Sequence, residues 1–189
     1  MAEEKLDRRK KYTRMVLKES LIKLLKEKQI SDITVKEICS LADVNRSTFY
    51  AHYLDLYDLL AKMEEEVLDD MQSYFGQHDF NKDEESIQMT EKLLDYVVAN
   101  KEIVQILLHE NADPNFQKRV MKIAQEYLKA SWKLTQGHEK NISHYASVFI
   151  IGGGLQMVKE WMDNDLMLSA KEMAGLINNI ANHGLSAVK

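Results

Sequence analysis

The stretch that decides the fold is residues 33–53, ITVKEICSLADVNRSTFYAHY. Thr34 and Glu37 stand three residues apart, which is the spacing of a capping box, in which each side chain accepts a hydrogen bond from the other residue's backbone N–H. A short helix is therefore predicted to begin at Thr34 and to run to about Leu41. Asn45 is a good N-cap for another short helix. Two short helices joined by about three residues predict a helix-turn-helix.

Asp43 lies in the turn between these helices, where a left-handed backbone is needed. Asp tolerates that conformation better than most residues other than glycine. The inward residues of the predicted three-helix unit form a small core. They are Leu17, Leu21, Ile33, Ile38, Ala42, Val44, Phe49 and Tyr53.

With Phe49 buried, the polar side chains on the other side of its helix are exposed, because residues three and four apart share a face. In a helix-turn-helix the second helix enters the major groove, and the helix before it crosses the phosphate backbone. Arg46 could donate two hydrogen bonds to guanine, while hydroxyls and histidine could bind base edges or phosphates. The predicted DNA-binding residues are Thr34, Lys36, Asn45, Arg46, Ser47, Thr48, Tyr50 and His52.

These residues resemble the TetR/AcrR family of bacterial transcriptional regulators, and the match is close through the first 60 residues. The family pattern has a Thr that opens the second helix, then an Arg-x-Thr-aromatic-Tyr run followed by His-aromatic, here NRSTFYAHY. Asp43 departs from this pattern by replacing the usual turn glycine. Leu56 departs from it by replacing a common phosphate-binding lysine. The loss of that contact could weaken DNA binding, or the basic segment from Arg8 to Arg14 could supply the charge instead.

The composition favours an all-α fold of about nine helices, because one proline and seven glycines in 189 residues leave little turn chemistry for hairpins. A helix-turn-helix DNA-binding domain is predicted over 11–71, with its motif at about 34–53, and a C-terminal helical ligand-binding and dimerisation domain over 72–189. The first helix is predicted at 13–28. Later helices are predicted at 84–99, 101–110, 114–136, 142–163 and 170–182, the last with a capping box at Ser169 and Glu172.

The segment FIIGGGLQMVKEWM, residues 149–162, bears a general resemblance to the penultimate helix of the family, which implies dimerisation through a four-helix bundle from two protomers. Glycine inside a helix costs about 1 kcal/mol relative to alanine. The three glycines therefore predict close helix approach or room for a ligand. The candidate dimer-interface residues are Gly153, Gly154, Trp161 and Ile177.

Aromatic and methionine side chains in the C-terminal part could pack an ordinary core or line a mostly apolar pocket, and the family resemblance implies a pocket. The ligand-pocket candidates are Tyr96, Tyr127, Trp132, Tyr145, Phe149 and Met157.

Charge is distributed unevenly along the chain. The whole sequence has a net charge of −5, but residues 1–52 hold 12 basic and 8 acidic residues. A basic module of this kind can attract phosphates. The single cysteine favours a reducing compartment, and the charged N-terminus and short apolar runs favour a cytoplasmic protein without membrane contact.

Together these features predict a homodimeric transcriptional regulator, more specifically a repressor. It would bind a palindromic double-stranded DNA operator and be released by a small-molecule effector of unknown identity. The alternative is an interaction adaptor that keeps the fold but recruits a protein partner. We expect no enzyme activity, cofactor or metal, because the sequence has no nucleophile motif, acid–base pair or metal-ligand spacing.

Overall fold

The computed structural model describes residues 2–76, 83–108, 113, 115–132 and 140–186. These residues form nine α-helices and no strand, which confirms the all-α prediction. The helices are α1 Ala2–Leu25, α2 Val35–Leu41, α3 Arg46–Tyr50, α4 Leu56–Gly76, α5 Asp83–Ala99, α6 Lys101–Leu107, α7 Phe116–Trp132, α8 Lys140–Asp163 and α9 Ala170–Ser186. A short 3-10 helix, Ile30–Asp32, precedes α2.

The chain divides into two compact units. The first comprises Met1–Val67 with Ile106–Pro114, and the second comprises Leu68–Gln105 with Asn115–Lys189. The boundary therefore falls inside α4. The predicted functional division into residues 11–71 and 72–189 stays a prediction.

α1 begins eleven residues before the predicted start at residue 13, since its first residue is Ala2. The segment contains Ala, Glu, Lys, Leu and Arg, which are strong helix formers, and no glycine or proline interrupts it. The prediction was wrong because it relied on apolar spacing, which starts only where the helix begins to be buried. α1 also ends earlier than predicted, at Leu25, and a turn follows in which the Lys28 N–H donates to the Leu24 carbonyl over 3.1 Å.

The predicted core of the first unit is confirmed at all but two of its residues. Six of the eight predicted residues are buried: Leu17, Leu21, Ile33, Ile38, Phe49 and Tyr53. Ala42 and Val44 are only half-buried, because they lie in the turn rather than on a packed helix face. An ion pair between Lys18 and Glu66 joins α1 to α4.

In the second unit, α5 packs along α9 and α7 packs along α8. α7 begins at Phe116, two residues after the predicted start at Pro114, which lies outside the described residues. The parts of the predicted helices at 109–110 and 133–136 also lie outside them. α9 begins with the predicted capping box, in which the Ser169 N–H donates to Glu172 over 2.8 Å and the Glu172 N–H donates to the Ser169 hydroxyl over 3.2 Å.

The turn between α8 and α9 has two consecutive residues in the left-handed region, Asp165 at φ 53° and Leu166 at φ 56°. The Leu166 N–H donates to the Trp161 carbonyl over 2.9 Å, which closes the helix end. The side chains of Lys101 and Gln105 bond Asp165 and Asp163 over 3.2 Å and 2.6 Å. α6 and the α8–α9 turn are therefore fastened together within this unit.

The three glycines of α8 have different surroundings. A Cβ at Gly152 would lie 3.9 Å from Met121 Cε, and one at Gly154 would lie 4.0 Å from Ile177 Cγ2. Both distances are ordinary van der Waals contacts, and a Cβ at Gly153 would meet no atom within 4 Å. Packing among the described residues of one protomer therefore does not require glycine at these positions.

Candidate nucleic-acid interface and the C-terminal surface

Asp43 closes the helix-turn-helix turn in the conformation that its position predicts, with φ 52°. The Val44 N–H donates to the Cys39 carbonyl over 3.0 Å, and the Ala42 N–H donates to the Ile38 carbonyl over 2.9 Å. A left-handed residue after the helix with this six-to-one bond is a Schellman motif, which satisfies the last carbonyls of α2. The motif fixes the path of the chain from α2 into α3.

Asn45 is the N-cap of α3, as predicted. Its Oδ1 accepts from the Thr48 N–H over 2.8 Å, from the Ser47 hydroxyl over 2.6 Å and from the Thr48 hydroxyl over 2.8 Å. A helix of five residues needs such a cap, because its first N–H groups have no partner inside the helix. Asn45, Ser47 and Thr48, all predicted to bind DNA, therefore also stabilise the first turn of α3.

The two sides of α3 differ in solvent exposure, as the spacing predicts. Phe49 is fully buried, whereas Arg46, Ser47 and Tyr50 are exposed. The ring of Tyr50 stands edge-on to Phe49 at a centroid distance of 5.4 Å. Tyr50 is therefore braced by the core while its outer surface faces solvent.

The start of α2 has the predicted capping box. The Thr34 N–H donates to Glu37 Oε2 over 2.9 Å, and the Glu37 N–H donates to the Thr34 hydroxyl over 3.3 Å. Lys28 Nζ donates to Glu37 Oε1 over 2.6 Å. Hydrogen bonds from Lys28 and then from Thr34 lower the pKa of Glu37 to about 2. Thr34 and Lys36 are exposed at this end of the helix.

His52 lies half-buried just after α3, among positive charges from two other helices. Burial lowers the pKa of His52, and the charges of Arg14, Lys10 and Lys62 lower it further. Lys62 Nζ donates to the His52 carbonyl over 3.3 Å and lies 5.1 Å from the centroid of the Tyr53 ring. The effect of the Lys10 and Arg14 charges on His52 was not predicted, because it follows from the packing of α1 and not from the local sequence.

The turn into α4 is capped by Asp55, since the Asp58 N–H donates to Asp55 Oδ1 over 2.8 Å. Asp58 Oδ2 in turn accepts from the Leu54 N–H over 2.9 Å and from Lys62 over 2.8 Å. Leu56 is only 7% exposed. Leu56 is therefore a core residue, and its side chain is not available to a phosphate.

Trp161 is buried within the protomer, although it was a candidate for the dimer interface, and Phe149 is exposed, although it was a candidate for the ligand pocket. Trp161, a candidate for the dimer interface, is only 4% exposed, and its Nε1 donates to the Leu168 carbonyl over 2.9 Å. Tyr145 and Phe149, candidates for a pocket, lie on the protomer surface, and Phe149 is 76% exposed. Apolar residues occur all around α8, so their spacing could not distinguish its inner from its outer side.

The other candidates are spread over the second unit. Tyr96 packs against Tyr74 with a centroid distance of 5.7 Å, and Met157 is half-buried. The side chains of Tyr127 and Trp132 lie outside the part of the chain that the structure describes, although their backbone belongs to α7. The shared pocket therefore stays a prediction, since only four of the six candidates have side chains in the described part of the chain, and two of those four lie on the surface.

Exposed apolar side chains lie on two neighbouring helices of the second unit. On α8 they include Tyr145, Val148 and Phe149, with exposed Gly153 one turn further along, and on α9 they include Leu176 and Ile180. Large apolar groups at this spacing on adjacent helices are typical of an interaction surface.

No helix in the described ranges is long and apolar enough to cross a bilayer. Within the same ranges, no three His, Cys, Asp or Glu side chains gather in a way that would hold a metal ion.

The fold and the exposed face of α3 define a class, that of all-α proteins with an N-terminal helix-turn-helix. Residues 84–183 match the TetR-type family model described as "Transcriptional regulator C-terminal region". This match covers more than half of the chain. The chain therefore belongs to the TetR family of transcriptional regulators.

A curated relative has the same type of motif. The HTH-type transcriptional regulator YxbF of Bacillus subtilis (strain 168) is 28% identical over 158 residues, which cover 79% of this chain. The chain spans about 40% of the length of that relative.

Solved structures share the fold. A TetR transcriptional regulator from Streptococcus agalactiae 2603V superimposes with a TM-score of 0.65 at 22% identity, over 96% of this chain and 99% of that one. The regulator FadR from Bacillus subtilis, in complex with stearoyl-CoA, gives a TM-score of 0.64 at 15% identity over 88% and 96% of the two chains. At these identities the likeness concerns the fold alone.

Proposed function

We propose that the chain is a homodimeric transcriptional repressor that places α3 of each protomer in the major groove of a palindromic operator. The observation that carries this proposal is the exposed face of α3, with Arg46, Ser47 and Tyr50 opposite the fully buried Phe49. In a helix-turn-helix, this helix presents its N-terminal residues to base edges.

The proposed contacts divide into two kinds. Arg46 donates two hydrogen bonds to one guanine, which is a contact that specifies sequence. The hydroxyls of Thr34, Ser47 and Tyr50, with Lys36, bond phosphates, which positions the protein without specifying sequence. Asn45 and Thr48 contribute mainly by holding the first turn of α3 in place, since their side-chain bonds cap that helix.

A second copy of the chain supplies the other half-site. We propose that it covers the exposed apolar side chains of α8 and α9, above all Phe149, Leu176 and Ile180. A two-fold interface pairs the same patch of each protomer. The two α3 helices then lie about 34–36 Å apart, one turn of DNA, for which a palindrome is the matching sequence.

In this proposal, a small-molecule effector binds the second unit and causes the protein to dissociate from the operator. FadR was solved with stearoyl-CoA, and we propose that this chain likewise takes an effector among the helices of its second unit. Release requires that the effector bind better to a conformation that fits the operator less well. A screen of candidate effectors by thermal shift, followed by operator competition, tests this step.

The DNA-binding step is tested by gel-shift titration against the DNA upstream of the protein's own gene, at several salt concentrations. Wild-type affinity should fall steeply with salt. Arg46→Ala should reduce the preference for operator over unrelated DNA by about 1–3 kcal/mol. Arg46→Lys keeps the charge but not the bidentate geometry, so it should lose the preference and retain most of the nonspecific affinity.

Lys23→Ala is the matched control, since Lys23 is an exposed cation of α1 outside the helix-turn-helix. It should leave the preference unchanged. If no genomic fragment shifts at low salt, the regulator proposal fails and a protein-interaction adaptor takes its place. The observation that favours the adaptor is Leu56, a buried apolar residue at the position where the family commonly has a phosphate-binding lysine.

The sign of regulation is tested by transcription in vitro from a promoter that contains the shifted fragment. A repressor lowers transcript yield as protein is added, and the effector restores it. A rise in transcript yield on addition of protein alone would mean that the chain is an activator.

A further inference from the structure

We propose that Lys62 of α4 is a positioning residue, which fixes the direction in which α3 presents Arg46 to a base. The inference rests on the proposed DNA binding, but Lys62 lies outside the helix-turn-helix and needs no contact with DNA. It follows from the contacts of one ammonium group with the chain just after α3, from the shortness of α3 and from the burial of α4 on either side of Lys62.

The ammonium of Lys62 contacts the two residues that follow Ala51, the C-cap of α3. Its Nζ donates to the His52 carbonyl over 3.3 Å and lies 5.1 Å from the centroid of the Tyr53 ring. Tyr53 is only 3% exposed, and its ring lies against Phe49 of α3 with a centroid distance of 5.8 Å. An ammonium has three donor hydrogens and is attracted to the face of an aromatic ring. One group therefore holds a backbone carbonyl and a core side chain at the end of α3.

Asp58 extends this contact to the next residue of the chain. Its Oδ2 accepts from Lys62 Nζ over 2.8 Å and from the Leu54 N–H over 2.9 Å. Hydrogen bonds from Lys62 and from the Leu54 backbone lower the pKa of Asp58, so its carboxylate stays charged at neutral pH. Residues 52–54 form the α3–α4 connection, and Lys62 and Asp58 together fasten this connection to α4 at both of its ends.

α3 depends on such a fastening because it has only five residues. Isolated helices shorter than about 12–15 residues are marginal in water, so packing and end contacts set the direction of a short one. The start of α3 is held by its cap, in which the Thr48 N–H donates to Asn45 Oδ1 over 2.8 Å. Its end is held by Phe49 in the core and by the α3–α4 connection. A loose connection would therefore let α3 tilt about its capped start.

α4 is a rigid support for this contact. It has 21 residues, and Leu59 and Met63, which flank Lys62 in the sequence, are fully buried at 0% exposure. The side chain of Lys62 itself is 46% exposed. Exposed ion pairs contribute little to stability, so the contacts of Lys62 matter mainly for the direction of α3 and only slightly for the free energy of unfolding.

The direction of α3 matters for Arg46 because a bidentate base contact has strict geometry. Two parallel hydrogen bonds to one guanine require distances near about 2.9 Å and angles above about 150°. The attraction between a cation and a phosphate changes more slowly with distance. A tilt of α3 should therefore weaken the choice between sequences and leave the general attraction to DNA almost unchanged.

The test compares Lys62→Met with wild type by fluorescence anisotropy at several salt concentrations, on the operator and on an unrelated duplex of equal length. Methionine keeps an unbranched side chain and removes the ammonium. The preference for the operator should fall by roughly tenfold, which is within the range that one bidentate base contact supplies. The slope of log affinity against log salt should keep its wild-type value on both duplexes.

Two control variants separate the position of the ammonium from the loss of a charge. Lys62→Arg keeps the charge, the donors and the attraction to an aromatic ring, so it should retain most of the preference. Lys18→Met removes a cation whose ion pair with Glu66 joins α1, and not α3, to α4. It should keep the wild-type preference. Thermal unfolding must show that all three variants are folded.

A double variant shows whether Lys62 acts through Arg46. Lys62→Met should reduce the preference much less in an Arg46→Ala background than in wild type, because the contact that it positions is already absent. Equal reductions in the two backgrounds would overturn the positioning role.

Amide hydrogen exchange provides a readout without DNA. The Leu54 N–H donates to Asp58 Oδ2 over 2.9 Å, and the Tyr53 N–H donates to the Phe49 carbonyl over 3.0 Å. Both amides should exchange faster in Lys62→Met and at the wild-type rate in Lys18→Met, because local opening depends on local contacts. Unchanged rates at both amides in Lys62→Met would show that the α3–α4 connection does not need the lysine.

The DNA titrations distinguish the ways in which the inference can fail. An operator preference that is the same in Lys62→Met and wild type would mean that Lys62 does not set the direction of α3. A slope lowered by about 0.9 on both duplexes, with the preference unchanged, would make Lys62 a phosphate ligand instead. A wild type that binds no duplex at low salt would overturn the proposed function, and this inference with it.

Discussion

Replacement of Phe149 by alanine is expected to dissociate the proposed dimer without unfolding the protomer. Phe149 is 76% exposed on α8, so its ring contributes little to the protomer core. A phenylalanine side chain buries roughly 150–250 Å² when it is fully covered. About 150 Å² of Phe149 is therefore available to a second copy of the chain.

The size of the effect follows from this area. At about 25 cal/mol per Å², covering 150 Å² contributes nearly 4 kcal/mol, of which alanine would keep a part. Because interface area converts only partly into affinity, we expect removal of the ring to cost about 2–3 kcal/mol of binding free energy per copy. Both copies lose the ring in a two-fold interface, so the loss is about 4–6 kcal/mol per dimer. The dimer dissociation constant should rise roughly 10³–10⁴-fold.

The assay is sedimentation equilibrium over the nanomolar to micromolar range, with thermal unfolding of the same samples. Met167→Ala is the control, because Met167 is an apolar side chain 85% exposed in the α8–α9 turn, outside the proposed contact. Met167→Ala should dissociate like wild type. A Phe149→Ala variant with the wild-type dissociation constant, or a wild type that is monomeric at micromolar concentration, would refute the reasoning.

Three further predictions concern stability. Gly154→Ala should raise the unfolding free energy by about 1 kcal/mol and the melting temperature by about 2–4 °C, because alanine favours a helix more than glycine does. The added Cβ would lie in ordinary contact, 4.0 Å from Ile177. A lower melting temperature would show that a partner or ligand needs the glycine. Asp43→Gly should stabilise by about 0.5–1 kcal/mol in urea unfolding, since φ is 52° and glycine removes the strain of the left-handed backbone. The pKa of Glu37 is lowered from 4.5 to about 2, so its carboxylate stabilises the fold above pH 4.5, and this contribution is lost as pH falls toward 2. The stability difference between wild type and Glu37→Gln should shrink over that interval, and a constant difference would contradict the assignment.

Local structure was the most predictable part of this chain. The capping box of Thr34 and Glu37, the Asn45 cap and the left-handed Asp43 all appear in the structure as the sequence predicts. The reason is that each depends on hydrogen bonds between residues no more than five positions apart. Such bonds form wherever the residue types and spacing are right, whatever packs on them.

Which side of each C-terminal helix is exposed could not be predicted from neighbouring residues in this way. α8 has apolar residues around its whole circumference, so the sequence could not show which of them face the core, and Phe149 was assigned to a pocket and Trp161 to the dimer interface. Only the packing of α8 within the second unit decided that Trp161 is buried and Phe149 exposed.

By itself, the sequence determined an all-α chain, a helix-turn-helix with its caps, and a polar face on α3 opposite Phe49. The tertiary structure decided that Leu56 belongs to the core and that the charges of Lys10 and Arg14 act on His52, more than thirty-five residues away along the chain. The physical reason is the range of the interactions. Caps and turns are settled by neighbours in the chain, whereas burial and charge clusters depend on which helix faces which.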